Sequence, residues 1–379
     1  MKAKEKDETR FVSEKQVAKL YSRMLKAEES GARPSLIVDV IDAIRDGAKE
    51  SKGNFRTLVV GAGGSYPVAE YYKMIIEKHK IGMCDAVTPQ TALRNMNKIE
   101  YDFLIIISYS GRTADDLEVY RYFRIQSGDV YRKVAIITGE NPKLVKDYFN
   151  PGDVNLKVVS YYSEADETGK EEGMISLFRT IEPCFLAYNG VYEEHKEEIY
   201  RMTTKMFNRC NDVLSNLVDT KSNPIKKKTS YTIHVIYEPE LYPAAVDLET
   251  KLLESGIAYC MIHEAKNFSH GRYTMLYTQD FDIVINLAVK DKHDKRTTFE
   301  ENELVPFLKE ICEEKEKYYL SLSSKEDYLY GNLEMMFFNA CFIVRLGSYM
   351  DIDVSWPFKS VEGGYPPKLR ELYYFRGEF

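Results

Sequence analysis

Four short apolar runs rich in β-branched residues, TLVVGAG (57–63), FLIIIS (103–108), KVAIITG (133–139) and NLKVVSYY (155–162), alternate with segments of helical periodicity. Unbroken apolar runs of this length are strands buried on both faces. The segments between them, YPVAEYYKMIIEKHK (66–80), TADDLEVYRYFRIQ (113–126) and NPKLVKDYF, repeat their apolar residues at helical spacing. Strands joined through helices run parallel, so this alternation restricts the fold to a parallel sheet between two helical layers.

The alternation pauses in a helical stretch over 173–219 and in VDTKSNPIKKKTS (218–230), which reads as a linker. It restarts with the strand YTIHVIYE (231–238) and the helix LYPAAVDLETKLLESG (241–256). The strands DFDIVINLAV (281–290) and KYYLSLS (317–323) and the helix NLEMMFFNACFIVRLG (332–347) follow. Two helices, in VAKLYSRMLKAEESG and SLIVDVIDAIRDGAKE, are expected before residue 50. A chain of 379 residues is long enough for two cores. The expected fold is α/β with two tandem domains, each a mostly parallel sheet flanked by helices on both faces, a flavodoxin-like three-layer sandwich. The expected limits are 1–50 for the N-terminal helices, 51–217 and 230–365 for the two domains, and 366–379 for a C-terminal tail.

Composition narrows the function classes. The formal charge is −7 and dispersed, which disfavours nucleic acid as a partner. The six cysteines stand singly, with no CxxC pair, so neither a zinc site nor a disulfide framework is indicated. The first residues, MKAKEKDETRF, contain no apolar signal region, and no run approaches the ~18 apolar residues of a membrane span. A cytoplasmic protein without membrane contact is the expectation. No HExxH occurs, and His79, His195, His234, His263 and His293 are not spaced for a metal, so neither a metal nor another cofactor is expected.

The stretch SYSGRTADD (108–116) places Ser108, Ser110 and Thr113 around Gly111, where a strand ends and a helix begins. A helix N-terminus offers unpaired N–H groups and partial positive charge to an anion, above all phosphate. Glycine admits close approach of the backbone. A second loop, GAGGSYP (61–67), brings Gly64 and Ser65 to the same end of the sheet. A Ser or Thr in this position also serves as a plain helix cap, and Thr113 with Asp116 fits that pattern.

GAGGSYPVAEYY, ISYSGRTADDLEVYR and VAIITGE together resemble the sugar isomerase (SIS) domain family, whose central motif is S-x-S-G-x-T followed by an acidic residue. The resemblance implies that Ser65, Ser108, Ser110 and Thr113, with the backbone of Tyr109, hold the phosphate of a sugar phosphate. YPAAVDLETKLLESGIAYCMIHEAKNFSHGR (242–272) is similar to the isomerase half of glucosamine 6-phosphate synthase. That similarity implies Glu254 as the base between C1 and C2, and His270, donated by the neighbouring subunit of a homodimer, as the ring-opening group. DVSWPFKSVEGG (353–364) resembles the tail that carries the family's active-site lysine, here Lys359.

The resemblance implies aldose–ketose isomerisation of a hexose or aminohexose 6-phosphate. Free-standing fructosamine-6-phosphate deglycases and non-catalytic sugar-phosphate regulators of the same fold are the alternatives. The family's S-T-K segment has no clear counterpart: EEGMISLFRT (171–180) takes its place, with Gly173 and Ser176 as candidate contacts. Arg272 stands where the family has proline. It is a second anion contact or a surface arginine. Asp247, Lys251 and Glu254 share one helix face, a spacing that alone reads as a surface ion pair.

Overall fold

The protein is described here from a computed structural model. The structure describes residues 35–127, 132–161, 177–192, 228–289, 303–324 and 326–355, with scattered positions in 15–24 and 204–212. The first half runs α1 (Ser35–Glu50), β1 (Arg56–Gly61), α2 (Tyr66–Lys78), β2 (Met83–Val87), α3 (Pro89–Met96), β3 (Phe103–Ile107), α4 (Ala114–Ser127), β4 (Lys133–Thr138), α5 (Pro142–Phe149), β5 (Leu156–Ser160) and α6 (Ile181–Val191). The second runs β6 (Tyr231–Tyr237), α7 (Tyr242–Glu254), β7 (Ala258–Glu264), β8 (Ile283–Val289), α8 (Val305–Glu314), β9 (Tyr318–Ser324) and α9 (Tyr328–Met350). Short helical turns fill 265–278.

Both sheets are parallel. Their strand orders are β2-β1-β3-β4-β5 and β7-β6-β8-β9. The parallel α/β architecture expected from the sequence is therefore present. β2 (MCDAV) and β7 (AYCMIHE), both poor in β-branched residues, are not among the strands expected from the sequence. Each is a sheet edge, as are β5 and β9, which are expected. Met83 on β2 and Tyr259 on β7 are exposed. A strand half-open to solvent needs only an alternating pattern.

Each sheet has helices on both faces. Leu58, Val60, Leu104 and Ile106 pack on the outer side of the first sheet with Val119, Tyr120 and Phe123 of α4. Ile236 and Val284 pack on the outer side of the second with Leu308 and Ile311 of α8. The inner faces share one unbroken apolar core, from Val59 and Ile105 through Ala69, Ala244, Leu248 and Phe337 to Val235 and Ile285. The halves are thus joined through α2, α7 and α9. The Tyr71 hydroxyl donates across the junction to the Leu329 carbonyl at 3.1 Å. The expected domain limits at 217 and 365, and the tail 366–379, lie outside the described residues.

The halves are also repeats of one unit. Tyr66-Pro67 opens α2 as Tyr242-Pro243 opens α7, 176 positions later, and both helices have 13 residues. Each follows a 3-10 turn, Gly63–Ser65 or Pro239–Leu241. Asp102 Oδ2 accepts from Arg56 N at 2.8 Å, and Asp282 Oδ2 accepts from Thr232 N at 2.9 Å. Each carboxylate closes the same strand start.

The second sheet buries a histidine pair in this frame. His234 Nδ1 and His263 Nε2 are 3.1 Å apart, with Phe281 and Phe268 against the rings. Burial, with the Arg272 charge nearby for His263, lowers both imidazoles to about 4. From an unfolded value of about 6.5 down to that range, the unfolded chain takes up protons that the folded chain refuses. The pair's contribution is therefore complete above about pH 6.5 and is lost as the pH falls toward 4. Thermal melts are expected to drop between pH 7 and 4.5, and a His234→Leu/His263→Leu variant to drop less. Equal drops would assign the acid sensitivity to other groups.

Candidate functional site

β1 and β3 are neighbours, with Gly61 opposite Ile107. β1 leads on to β2 at one side and β3 to β4 at the other, so the strand order reverses between them. At such a switch point the two exit loops part and leave a crevice beyond the strand ends. The loops here are residues 62–65 and 108–113.

Three of the four predicted hydroxyls, on the two loops that flank the crevice, are uncommitted. Among the described residues, the hydroxyls of Ser65, Ser108 and Ser110 hydrogen-bond to no protein group. Ser65 stands at the N-cap of α2, yet its side chain caps no amide of that helix. Thr113 differs, because its Oγ1 accepts from Asp116 N at 3.3 Å and so caps α4. Gly111 has φ +58°, and a Cβ there would lie 2.6 Å from Val145 Cγ2. The glycine is required by packing behind the loop as well as by its left-handed backbone. The Tyr109 carbonyl accepts from Gly139 N at 3.0 Å and from Thr138 Oγ1 at 3.0 Å, which fixes the loop to β4.

The second half reaches the same crevice through α7. Glu254, its last residue, places Oε1 3.1 Å from where a Cβ on Gly63 would stand, and Gly63 itself has φ +52°. The proposed base therefore lies directly against the loop of the proposed phosphate site. Tyr66 and Tyr242, equivalent residues of the repeat, also meet here, and the Tyr66 hydroxyl donates to Glu70 Oε1 at 2.6 Å. Burial raises the Glu70 carboxyl, against the lowering effect of that hydrogen bond.

Asp247 and Lys251 are not a surface pair. They are 1% and 2% exposed and ion-paired in the interior. Thr180 Oγ1 donates to Asp247 Oδ1 at 2.9 Å and accepts from Lys251 Nζ at 2.8 Å. Asn339 Nδ2 donates to Asp247 Oδ2 at 2.9 Å. Thr180 also backs the 62–65 loop, its Cγ2 3.4 Å from where a Cβ on Gly64 would stand. Thr180 thus lies between that loop, on its methyl side, and the helix that carries Glu254, on its hydroxyl side. Beside it, Arg179 Nη2 donates to the Tyr161 carbonyl at 2.8 Å, and its guanidinium lies 5.8 Å from the Tyr109 ring centre. Sequence patterns missed Arg179, Thr180 and Asn339. The only signal for Arg179 and Thr180 was the segment 171–180 that holds them, and Asn339 gave none.

His270 and Arg272 lie in an exposed turn after β7, where Gly271 has φ +114°. No hydrogen bond or ion pair links either of them to Glu254. Ser176, Gly173 and Lys359 lie outside the described residues. Among the described residues no group of three or more His, Cys, Asp or Glu side chains is placed to hold a metal, and no helix is long and apolar enough to cross a membrane.

Solved structures share this arrangement over nearly the whole chain. Tagatose-6-phosphate ketose/aldose isomerase from Escherichia coli superposes with a TM-score of 0.65, covering 91% of this chain and 95% of its own at 14% identity. The fold is that of the sugar isomerases. Glucosamine-6-phosphate deaminase from Thermotoga maritima shares the sugar isomerase fold with a TM-score of 0.57, covering 86% and 97% at 14% identity. The C-terminal domain of glucosamine-fructose-6-phosphate aminotransferase from Francisella tularensis does so with a TM-score of 0.55, covering 92% and 99% at 14% identity. In sequence, the chain is 23% identical over 240 residues to the isomerizing glutamine–fructose-6-phosphate aminotransferase of Thermotoga maritima. That match spans 62% of this chain and 38% of the relative. No protein-family model matches the chain.

Proposed function

We propose that the protein acts on a hexose or aminohexose 6-phosphate by moving a proton between C1 and C2. The observation that carries this reading is the contact of Glu254 with the Gly63 turn, beside the uncommitted hydroxyls of Ser65, Ser108 and Ser110. In this reading Ser65, Ser108, Ser110 and Thr113 and the Tyr109 backbone hold the phosphate, with Gly64 and Gly111 admitting it. The phosphate is remote from the reacting carbons, so its binding energy orients them. The Glu254 carboxylate takes the proton alpha to the carbonyl and returns it to the neighbouring carbon. Charge that develops on the enediol oxygens needs a donor or cation, a role assigned to Lys359. His270, on its exposed turn, opens the sugar ring in the site of a second subunit, which makes the protein a homodimer. Arg272 would lie beside that shared site, and Ser176 would contact the sugar.

The test has two readings. A thermal-shift panel of hexose and aminohexose 6-phosphates is expected to contain a stabilising ligand, by about 2.7 kcal/mol at 100 times its dissociation constant. That ligand is then expected to exchange with deuterated water its C2 proton if it is an aldose, or a C1 proton if it is a ketose. Binding without exchange would make the protein a sugar-phosphate sensor, and release of a free amine from fructosamine 6-phosphate would make it a deglycase. No stabilising sugar phosphate at all would overturn the reading.

A further inference from the structure

We infer that Glu238 is a built-in anion, whose carboxylate fills in the second half the place that the ligand's phosphate takes in the first. The inference rests on the phosphate reading of the first crevice and on the internal repeat. Tyr237 stands opposite Leu287 as Gly61 stands opposite Ile107. One residue on, Glu238 corresponds to Ala62. Two residues on, Val289 corresponds to Tyr109.

Both halves turn the backbone away at the same point. The Ala62 carbonyl accepts from Ser65 N at 3.0 Å, and the Glu238 carbonyl accepts from Leu241 N at 2.8 Å. A carbonyl committed to that turn is not aimed at the next amide of the neighbouring strand. In the second half the side chain takes over, and Glu238 Oε2 accepts from Val289 N at 2.6 Å. Such a bond to a carboxylate is charge-assisted. Ala62 has only a methyl group, so its side chain cannot fill the corresponding place in the first half.

The rest of the second crevice agrees. Pro239, Glu240 and Leu241 stand where the first half has Gly63, Gly64 and Ser65. They bring no glycine for close backbone approach and no hydroxyl. Lys78 stands in the place of Glu254 and pairs with Asp327 at 2.9 Å. The chain therefore binds one sugar phosphate, through its first half. Its second half, with the anion position closed, is left to supply the acid–base group.

The experiment compares wild type, Glu238→Ala and Glu238→Gln in thermal melts with sodium formate or inorganic phosphate, against sodium chloride of equal ionic strength. Glu238→Ala is expected to melt lower in chloride and to regain most of the loss in formate or phosphate. Glu238→Gln keeps an acceptor oxygen, so it is expected to lose less and to gain nothing from formate. An Ala variant that the anions do not restore, or a Gln variant as damaged as Ala, overturns the inference. If the Ala variant does not fold in any salt, the Gln variant decides alone: a melt near that of wild type with no gain from formate supports the inference, and a response to formate overturns it. The functional reading is judged separately, by the stabilisation of wild type with fructose 6-phosphate or glucosamine 6-phosphate.

Discussion

Glu254→Gln is expected to lower turnover of the responsive hexose 6-phosphate by about 10²–10⁴-fold, the range supplied by a positioned general acid or base. Binding is expected to change little. The amide is isosteric with the carboxylate, and the crevice hydroxyls of Ser65, Ser108 and Ser110 are untouched. The ligand's thermal shift should therefore match that of wild type while exchange of the C1 proton of a ketose or the C2 proton of an aldose disappears. Loss of kcat with an unchanged dissociation constant is the signature of a group acting on the reacting carbons. Glu254 already lies against the Gly63 turn, so no rearrangement of α7 is required to bring base and phosphate together. A Gln variant that exchanges that proton as fast as wild type would remove Glu254 from the chemistry.

The second large effect is on stability. Asp247→Ala leaves the Lys251 ammonium in the interior, at 2% exposure, with the Thr180 hydroxyl as its remaining described partner. Removing one member of a buried pair costs about 3–5 kcal/mol. The reason is that the surviving charge keeps its desolvation penalty and loses its counter-charge. Asn339 Nδ2 and Thr180 Oγ1 lose an acceptor at the same time. Replacing the pair together, as Asp247→Asn/Lys251→Met, removes both charges and is expected to recover most of that loss in the denaturation midpoint. An Asp247→Ala protein as stable as wild type would mean that the pair is solvated, contrary to the structure. The stabilised and destabilised variants also separate stability from catalysis. A folded double variant whose turnover falls while sugar-phosphate binding holds would show that the network sets the position of Glu254.

The crevice hydroxyls illustrate how far a local pattern reaches. Ser108, Ser110 and Gly111 follow a strand and precede a helix, and a helix N-terminus that receives an anion is a local object. Thr113 shows the limit, because its hydroxyl caps α4. Gly111 shows another. Its smallness answers Val145 and Thr138 behind the loop, contacts that come from elements 27 or more residues further along the chain. The edge strands β2 and β7 escaped detection because MCDAV and AYCMIHE hold one β-branched residue each, too few for the pattern that marked most of the other strands.

Sequence alone determined the parallel α/β layering, the restart of the pattern at residue 231 and the loop that marks the crevice. These follow from periodicity and turn chemistry, which act over a few residues. Tertiary structure alone decided that Asp247 and Lys251 are interior, that Thr180 joins the loop to α7, and that Glu254 lies on the Gly63 turn. An i,i+4 Asp–Lys pair looks the same on an exposed helix as on one enclosed by α2, α9 and the Thr180 side chain. Burial is set by which helices pack against it, and that is a property of the assembled layers.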